Sequence, residues 1–214
     1  VNLFGLCHAG MTRFLLSCQI RHFIRKGGYF MSSTKKITTS ALMIALATAL
    51  AWVSKVIPAP WMQGGSITIA SMVPIIAVSI MLGTKWGLAS SLVYALIQMI
   101  QGFYPPPTRN FISYLLVIAL DYIIAFGVLG LAGLFYRLFG KTRFAAAAAA
   151  FIVTALRYVC HILSGILIWG VYADEGQSVL AYSLTYNGTY MIPEIIISTV
   201  VVFVLGKFIC EKTE

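Results

Sequence analysis

The 214 residues are 60% hydrophobic and only 10% charged, whereas an ordinary soluble domain carries about 25% charged residues. So few charges cannot cover a water-facing globule of this size, which argues against a soluble enzyme and predicts a chain surrounded mainly by lipid. The net charge of +9 does not indicate a nucleic-acid partner, because the basic residues lie at the edges of apolar runs, as membrane topology requires.

The first 30 residues differ from the rest of the chain. They are basic and loosely apolar, and no small-residue cleavage site follows an apolar core, as it would in a secretory signal peptide. The segment that begins Met31-Ser32-Ser33 is consistent with a translation start. We therefore expect residues 1–30 to be a non-native or disordered leader and residues 31–214 to form one membrane domain.

Apolar runs recur along residues 31–214. A helix needs about 20 apolar residues to cross the hydrocarbon core of a bilayer. The runs are separated by breaks rich in proline, glycine or charge, and they cover residues 37–57, 67–83, 86–103, 111–138, 145–171 and 189–209. We predict an all-α polytopic membrane protein with six transmembrane helices. The second and third runs are short, which predicts tilting or a loop that dips into the protein.

Lysine and arginine residues are concentrated on one side of the six predicted spans. The two ends of the domain and the second and fourth loops carry Lys35, Lys36, Lys85, Arg137, Lys141, Arg143, Lys207 and Lys212. The first loop has no basic residue, the third has only Arg109, and the fifth bears Asp174 and Glu175 instead. Because cytoplasmic loops are enriched in Lys and Arg, we predict a bacterial cell-membrane protein with both termini in the cytoplasm.

Three ionisable side chains fall inside predicted spans, where each costs about 2.5–3.5 kcal/mol on insertion scales and usually faces a cavity or a partner. They are Asp121 in span four and Arg157 and His161 in span five. Arg157, His161, Gly165 and Trp169 repeat every four residues and so share one helical face. We expect this face to line a cavity. The alternative is a structural ion pair between Asp121 and Arg157, with His161 as a packing residue.

The predicted fifth loop, from Tyr172 to Tyr190, is long and rich in tyrosine, and it lies outside by the charge rule. Aromatic faces attract a cation by roughly 0.5–2 kcal/mol each, and a nearby carboxylate adds a charge-assisted hydrogen bond. An outward-facing concavity of this kind suits a flat organic cation. The alternative is an interfacial belt of Trp169 and the tyrosines.

Two further patterns concern the first two spans. Gly64-Gly65-Ser66-Ile67-Thr68 opens span two, either as a loop that caps a site or as a plain turn. Ala41, Ala45 and Ala49 form a stripe of small residues that permits close helix approach, either within the protein or with another membrane subunit. No phosphate loop, hydrolase motif or metal-binding cluster is evident, so we expect no catalytic residues, cofactor or metal site.

The sequence resembles the thiamine-specific substrate-binding subunits (S components) of energy-coupling factor transporters. The resemblance runs from about Lys36 to Lys207. Its most telling parts are Gly64-Gly65-Ser66-Ile67-Thr68, Asp121-Tyr122, Arg157-Tyr158 with His161, Gly165 and Trp169, and Ala181-Tyr182-Ser183-Leu184 with Asn187-Gly188. It implies a six-helix subunit that binds thiamine near the outer surface, has no catalysis of its own, and works with a coupling membrane subunit and two ATPases.

The resemblance also implies which residues bind the vitamin and which contact the partner. It points to Asp121, Tyr122, His161, Trp169, Tyr182 and Asn187 for thiamine, and to Ala41, Ala45 and Ala49 for the coupling subunit. Asp121 is one methylene shorter than the glutamate of the family pattern, and the tryptophan that the pattern has at the entrance of span two is missing. Trp61, Gln63, Gly65 and Ser66 are candidates for contacts from the first loop, and Glu194, on one face with Asn187, is a further candidate.

Three alternatives differ in class. An S component for another small vitamin or precursor should favour basic groups in its cavity if the ligand is neutral or anionic. A small intramembrane enzyme would use Asp121 and His161 as acid and base and would turn over a substrate. A structural or assembly subunit would tolerate truncation of Trp169 without loss of any ligand.

Overall fold

The computed structural model describes residues 32–54 and 67–211, and this part of the chain contains helices and no strand. The helices are α1 (Ser33–Ser54), α2 (Val73–Leu82), α3 (Thr84–Gln101), α4 (Phe111–Leu138), α5 (Arg143–Tyr172) and α6 (Val179–Glu211). The predicted all-α class is therefore confirmed. The predicted leader, residues 1–30, lies outside the described residues.

Four of these helices, α1, α4, α5 and α6, are long and apolar enough to cross a membrane. The shortest, α1, has 22 residues, which at 1.5 Å per residue is about 33 Å, against a hydrocarbon core of about 30 Å. Large apolar side chains such as Ile100, Phe111 and Phe151 are exposed on the outside of the bundle, as expected for surfaces that face lipid.

The second predicted span, residues 67–83, is helical only from Val73 onward. Its ten-residue helix α2 is about 15 Å long, half of a membrane crossing. Ser54 Oγ accepts a hydrogen bond from the backbone N–H of Ile69 (2.8 Å), and Glu194 accepts one from the backbone N–H of Thr68. Side chains of α1 and α6 therefore satisfy donors of a non-helical segment, which is how irregular backbone is tolerated inside a membrane bundle.

The last helix begins earlier than predicted. Residues 172–190 were expected to form a long outer loop, but α6 starts at Val179, and only residues 173–178 lie between α5 and α6. Tyr182, Tyr186 and Tyr190 are therefore on a helix. They are polar enough to interrupt an apolar run, and they face the protein interior rather than lipid.

Turn chemistry explains where α4 and α5 begin. The side chain of Asn110 accepts a hydrogen bond from the N–H of Ser113 (2.7 Å), and Thr142 Oγ1 accepts one from the N–H of Ala145 (3.1 Å). Each satisfies a donor that the first helical turn leaves unpaired. The alanine run at residues 145–150 lies in the first turns of α5.

Two long helices contain a wider, π-helical turn. In α4 it covers Ile118–Ile124, and in α5 it covers Gly165–Trp169. Such turns are rare and occur often at functional sites. Asp121 and Tyr122 lie on the first of them and Trp169 on the second, so the two irregular segments carry three of the predicted site residues.

Candidate functional site

The described helices enclose a cavity of about 180 Å³. Every predicted thiamine-binding residue within the described part of the chain lines it: Asp121, Tyr122, His161, Trp169, Tyr182, Asn187 and Glu194. They come from α4, α5 and α6, so residues far apart in the sequence meet at one place. The candidate first-loop contacts Trp61, Gln63, Gly65 and Ser66 lie outside the described residues.

Asp121 is the centre of the hydrogen-bond network in this cavity. Its Oδ1 atom lies 3.0 Å from His161 Nδ1, and its Oδ2 atom accepts hydrogen bonds from Ser164 Oγ (2.6 Å) and Trp169 Nε1 (3.3 Å). One carboxylate on α4 therefore fixes three side chains of α5. A carboxylate offers about four acceptor positions, so one remains for a donor on a ligand.

The protonation of His161 follows from its neighbours. Arg157 Nε donates to His161 Nε2 at 3.3 Å, and a guanidinium can only donate, so Nε2 is the acceptor. The ring proton is then on Nδ1, where it is donated to Asp121. His161 thus lies between Arg157 and Asp121, and among the described residues no direct ion pair joins these two. In place of a direct Asp121–Arg157 ion pair, hydrogen bonds connect Arg157 to His161 and His161 to Asp121.

Ser164 was not predicted, although it is fully buried and donates to Asp121. It also accepts a hydrogen bond from Trp169 Nε1 at 3.1 Å, across a separation of five residues. Residues five apart come into register in a π-helical turn, whereas a regular α-helix aligns residues three or four apart. A pattern search at α-helical spacing could not have paired them.

The plane of the Trp169 ring is held on several sides. Its N–H is fixed by Asp121 and Ser164, Tyr104 packs at 5.5 Å between ring centroids with a tilt of 49°, and Tyr172 stacks at 6.4 Å. A side chain that only anchored the protein at the lipid interface would not need a carboxylate partner inside the bundle. The interfacial-belt interpretation therefore does not describe Trp169.

Tyr122 connects the cavity to the segment between α3 and α4. Its hydroxyl donates to the carbonyl of Gly102 (2.9 Å) and accepts from the N–H of Tyr104 (3.2 Å), and its ring stacks on Phe103 at 5.7 Å. These contacts use the hydroxyl on backbone groups, so Tyr122 presents mainly its ring to the cavity. It positions Tyr104, which packs against Trp169.

Asn187 joins α6 to α5 at the level of His161. Its Nδ2 atom donates to the carbonyls of His161 (3.1 Å) and Ser183 (2.9 Å), and its Oδ1 atom accepts from the hydroxyl of Tyr190 (2.5 Å). Both donated hydrogen bonds and the accepted one are therefore made within the protein. Asn187 thus fixes the distance between two walls of the cavity.

This close approach of α5 and α6 depends on the absence of a side chain at Gly165. A Cβ atom there would overlap the Ser183 hydroxyl and lie 3.1 Å from Asn187 Nδ2. We expect Gly165→Ala to lower the free energy of unfolding by about 1–3 kcal/mol, the usual cost of overpacking. The matched control is Gly127→Ala on α4, where a Cβ atom meets nothing closer than 4.0 Å.

Thermal unfolding of both glycine variants in detergent measures this effect. The Gly165→Ala protein should melt at a lower temperature than the unmodified protein, and Gly127→Ala should melt at the same temperature or higher, because alanine favours the helix. Equal melting temperatures for the two variants would show that Gly165 is not needed for the contact between α5 and α6.

Three buried polar atoms that line the cavity have no hydrogen-bond partner among the described residues. They are the Nε2 atom of Gln98, the hydroxyl of Tyr182 and the Oε2 atom of Glu194. Buried polar groups are otherwise almost always paired. Three residues of the cavity lining therefore offer one donor, one acceptor and one group able to do both.

The charge and the surface of the cavity favour a cation with aromatic character. Asp121 and Glu194 are carboxylates and Arg157 is the one guanidinium in the described lining, which gives a formal surplus of one negative charge. The guanidinium lies over the ring of Phe126 at 3.8 Å, so part of its field is directed at an aromatic face. The rest of the wall is largely aromatic: Tyr94, Tyr104, Tyr122, Phe126, Trp169, Tyr182, Tyr186 and Tyr190.

Several lining residues were absent from the predicted set of binding residues: Tyr94, Gln98, Tyr104, Arg157, Gly165, Tyr186 and Tyr190. Arg157, Gly165, Tyr186 and Tyr190 had signals, the stripe on span five and the tyrosine-rich segment. Tyr94 and Gln98 lie on α3 without a neighbouring charge, and nothing in their local sequence separates them from ordinary helix residues.

Comparison with known proteins gives consistent matches. The chain matches the family described as thiamine transporter protein (Thia_YuaJ) over residues 37–213. The thiamine transporter ThiT of Bacillus subtilis strain 168 is 34% identical over 187 residues, which cover 82% of this chain and 93% of that protein. ThiT of Lacticaseibacillus paracasei is 37% identical over 95 residues, which cover 40% of this chain and 47% of that protein.

A solved structure of ThiT from Listeria monocytogenes has the same fold, with a TM-score of 0.63 at 21% identity over 81% of this chain and 93% of that chain. The relatives are named as transporters, which agrees with the predicted non-enzymatic role and with residence in the membrane. The family match covers most of the chain, and the alignment with the Bacillus subtilis protein spans 93% of that protein. The chain therefore belongs to the thiamine transporter protein (Thia_YuaJ) family.

Proposed function

We propose that this protein is the thiamine-binding membrane subunit of an energy-coupling factor transporter. The observation that carries the proposal is the network around Asp121, which fixes His161, Ser164 and Trp169 at the wall of an aromatic cavity with surplus negative charge. Thiamine is a cation with two planar rings joined by a methylene bridge, and one ring carries an amino group, so it matches the cavity in charge, in aromatic character and in hydrogen-bonding groups. The names of the relatives support the same ligand.

A binding pose follows from the directions of the donors and acceptors. The aminopyrimidine ring lies on Trp169 with its amino group toward the remaining acceptor position of Asp121, and the tyrosines surround the cationic thiazolium. A ring inserted between two others needs about 7 Å, twice a contact distance of about 3.5 Å. The centroids of Tyr104 and Trp169 are 5.5 Å apart, so Tyr104 swings outward when the ligand enters.

Isothermal titration of the purified protein with thiamine tests the proposal. We expect a single tight site with a stoichiometry of one, and no heat from an anionic vitamin such as pantothenate at the same concentrations. Binding of a neutral or anionic vitamin in preference to thiamine would favour the alternative of an S component for another ligand. Conversion of a ligand into a product would favour the enzyme alternative.

The proposed topology has six crossings with both termini in the cytoplasm. The basic residues at the junction of α2 with α3 and at the junction of α4 with α5 support it, since Lys85, Lys141 and Arg143 then lie on the cytoplasmic side. In this arrangement α2 crosses as a short helix preceded by residues 67–72. The cavity opens to the outside, so the vitamin is taken up from the external medium.

Uptake further requires a partner, because the sequence contains no phosphate loop with which to use ATP. We propose that a coupling membrane subunit, which carries two ATPases, docks on the alanine stripe of α1. Ala41, Ala45 and Ala49 are all exposed, whereas Ala47 and Ala51 on the opposite face are buried in the bundle. An exposed stripe of small residues lets another helix approach closely.

A bulky residue in this stripe should block docking without affecting the cavity. We expect Ala45→Trp to reduce recovery of the coupling subunit in co-purification at least tenfold, while the dissociation constant for thiamine stays within twofold. Leu46→Trp is the control, because Leu46 is also exposed but lies about 100° around the helix. Equal recovery with both variants would contradict docking through the stripe.

A further inference from the structure

Glu194 is a second carboxylate in the cavity, seven residues beyond Asn187 on α6, or about 10 Å further along the helix. It is only 2% exposed. Its Oε1 atom accepts hydrogen bonds from the N–H and the hydroxyl (2.7 Å) of Thr68, whose hydroxyl also lies 2.6 Å from that of Ser71. The other oxygen, Oε2, has no partner within residues 32–54 and 67–211.

A purely structural role explains only one of the two carboxylate oxygens of Glu194. Capping the N–H of Thr68 requires one acceptor, which a neutral glutamine would supply as well. A carboxylate inside a membrane helix is costly unless a second group compensates its charge. Arg157 also lines the cavity, but its guanidinium lies over Phe126 and donates to His161, and the described residues give Glu194 no ion pair. Arg157 compensates part of this charge at longer range, and a cationic ligand supplies the rest.

We propose that Glu194, held by Thr68, is the inner subsite that binds the hydroxyethyl side chain of the ligand and makes the cavity select the free alcohol over its phosphate ester. This inference rests on the proposed function, since it concerns the far end of the same ligand. Asp121 and Trp169 hold the amino-bearing ring, and the length of α6 between Asn187 and Glu194 accommodates the second ring and its side chain.

The selectivity follows from donor and acceptor chemistry. An alcohol donates its O–H to the unpaired Oε2 atom of Glu194, and a hydrogen bond to a charged group is among the stronger ones. A phosphate monoester has no such donor when ionised and places negative charge against a buried carboxylate, a like-charge contact that rejects the wrong ligand. The cationic ring of the ligand supplies the compensation that Glu194 lacks in the protein.

Titrations with thiamine, thiamine monophosphate and the analogue with ethyl in place of hydroxyethyl test this subsite. The unmodified protein should bind the alcohol at least about tenfold more tightly than either other ligand. In Glu194→Gln, which keeps the acceptor for Thr68 but removes the negative charge, the preference over the monophosphate should fall below threefold. This loss of preference is the coupling expected of two groups in contact.

Glu175→Gln is the matched control, because it makes the same chemical change at an exposed loop position outside the cavity. It should leave all three dissociation constants within twofold. The inference is overturned if the unmodified protein binds the monophosphate or the ethyl analogue as tightly as thiamine, or if Glu194→Gln weakens all three ligands equally. The proposed function survives those outcomes and falls only if thiamine itself does not bind, and the subsite falls with it.

Discussion

Replacing Asp121 by asparagine is expected to weaken thiamine binding by about 3 kcal/mol, or roughly 100-fold. The carboxylate accepts from His161 Nδ1 on one oxygen and from Ser164 and Trp169 on the other. An asparagine has one oxygen, so in either orientation its NH₂ group faces an N–H donor, that of His161 or that of Trp169. The negative charge that balances the cationic ligand is lost as well.

His161 cannot easily relieve this conflict. Moving its proton from Nδ1 to Nε2 would place that proton against the N–H of Arg157, which donates to Nε2 in the structure. The effect of Asp121→Asn should therefore appear as a large rise in the dissociation constant measured by calorimetry. The protein should remain folded, because the two side chains have nearly the same volume.

Two controls separate charge from position. Asp174→Asn removes the same charge from an exposed residue between α5 and α6 and should leave binding unchanged within twofold. Asp121→Glu keeps the charge and the acceptors, and it restores the residue of the family pattern, so we expect it to bind thiamine within about tenfold of the unmodified protein. Unchanged affinity in Asp121→Asn would show that the carboxylate does not contribute to thiamine binding.

Truncation of Trp169 is expected to have an effect of similar size. Trp169→Ala removes the ring on which the ligand stacks and releases two hydrogen-bond acceptors, Asp121 and Ser164. Buried aromatic anchors of this kind commonly cost 2 kcal/mol or more when truncated, so we expect thiamine to bind at least about 30-fold more weakly. Quenching of tryptophan fluorescence by thiamine should disappear in the same variant.

Trp169→Phe distinguishes the ring face from the N–H. Phenylalanine keeps a stacking surface but cannot donate to Asp121, so its affinity should lie between those of the unmodified protein and the alanine variant. Trp52→Ala on α1, which changes a tryptophan outside the cavity lining, is the control for the fluorescence signal. Full quenching in Trp169→Ala would mean that thiamine stacks on a different residue.

The long helices were predictable because the length of an apolar run reflects the thickness of the bilayer. The predicted fourth run, residues 111–138, coincides with α4, and the fifth, residues 145–171, lies within α5. The predicted start of α6 was wrong by ten residues. Hydropathy detects side chains that face lipid, and residues 179–188 include tyrosine, serine and asparagine side chains that face the cavity or α5 instead.

The second predicted span shows a different limit. Residues 67–72 are apolar enough to continue α2, yet they are not helical, because side chains of α1 and α6 satisfy the backbone of Thr68 and Ile69. Those partners are distant in sequence. A local pattern of hydrophobic residues carries no information about them.

Within the site, the charged residues could be found from the sequence, whereas the neutral ones could not. Asp121, Arg157 and His161 stood out because an ionisable side chain in a membrane span is costly. Serine and glutamine are ordinary residues in such helices, so the sequence did not single out Ser164 or Gln98. Ser164 nevertheless belongs to the hydrogen-bond network of Asp121, and Gln98 lines the cavity. The π-helical turns changed the spacing on which the predicted stripe of α5 depended.

A structure of the protein determined with bound thiamine tests the central claim most directly. We expect the aminopyrimidine ring on Trp169, its amino group at Asp121, and Tyr104 displaced from its present contact with Trp169. The cationic ring should lie among the tyrosines of α6, with the hydroxyl toward Glu194. Thiamine found outside the space between α4, α5 and α6, with the Asp121 network undisturbed, would contradict it.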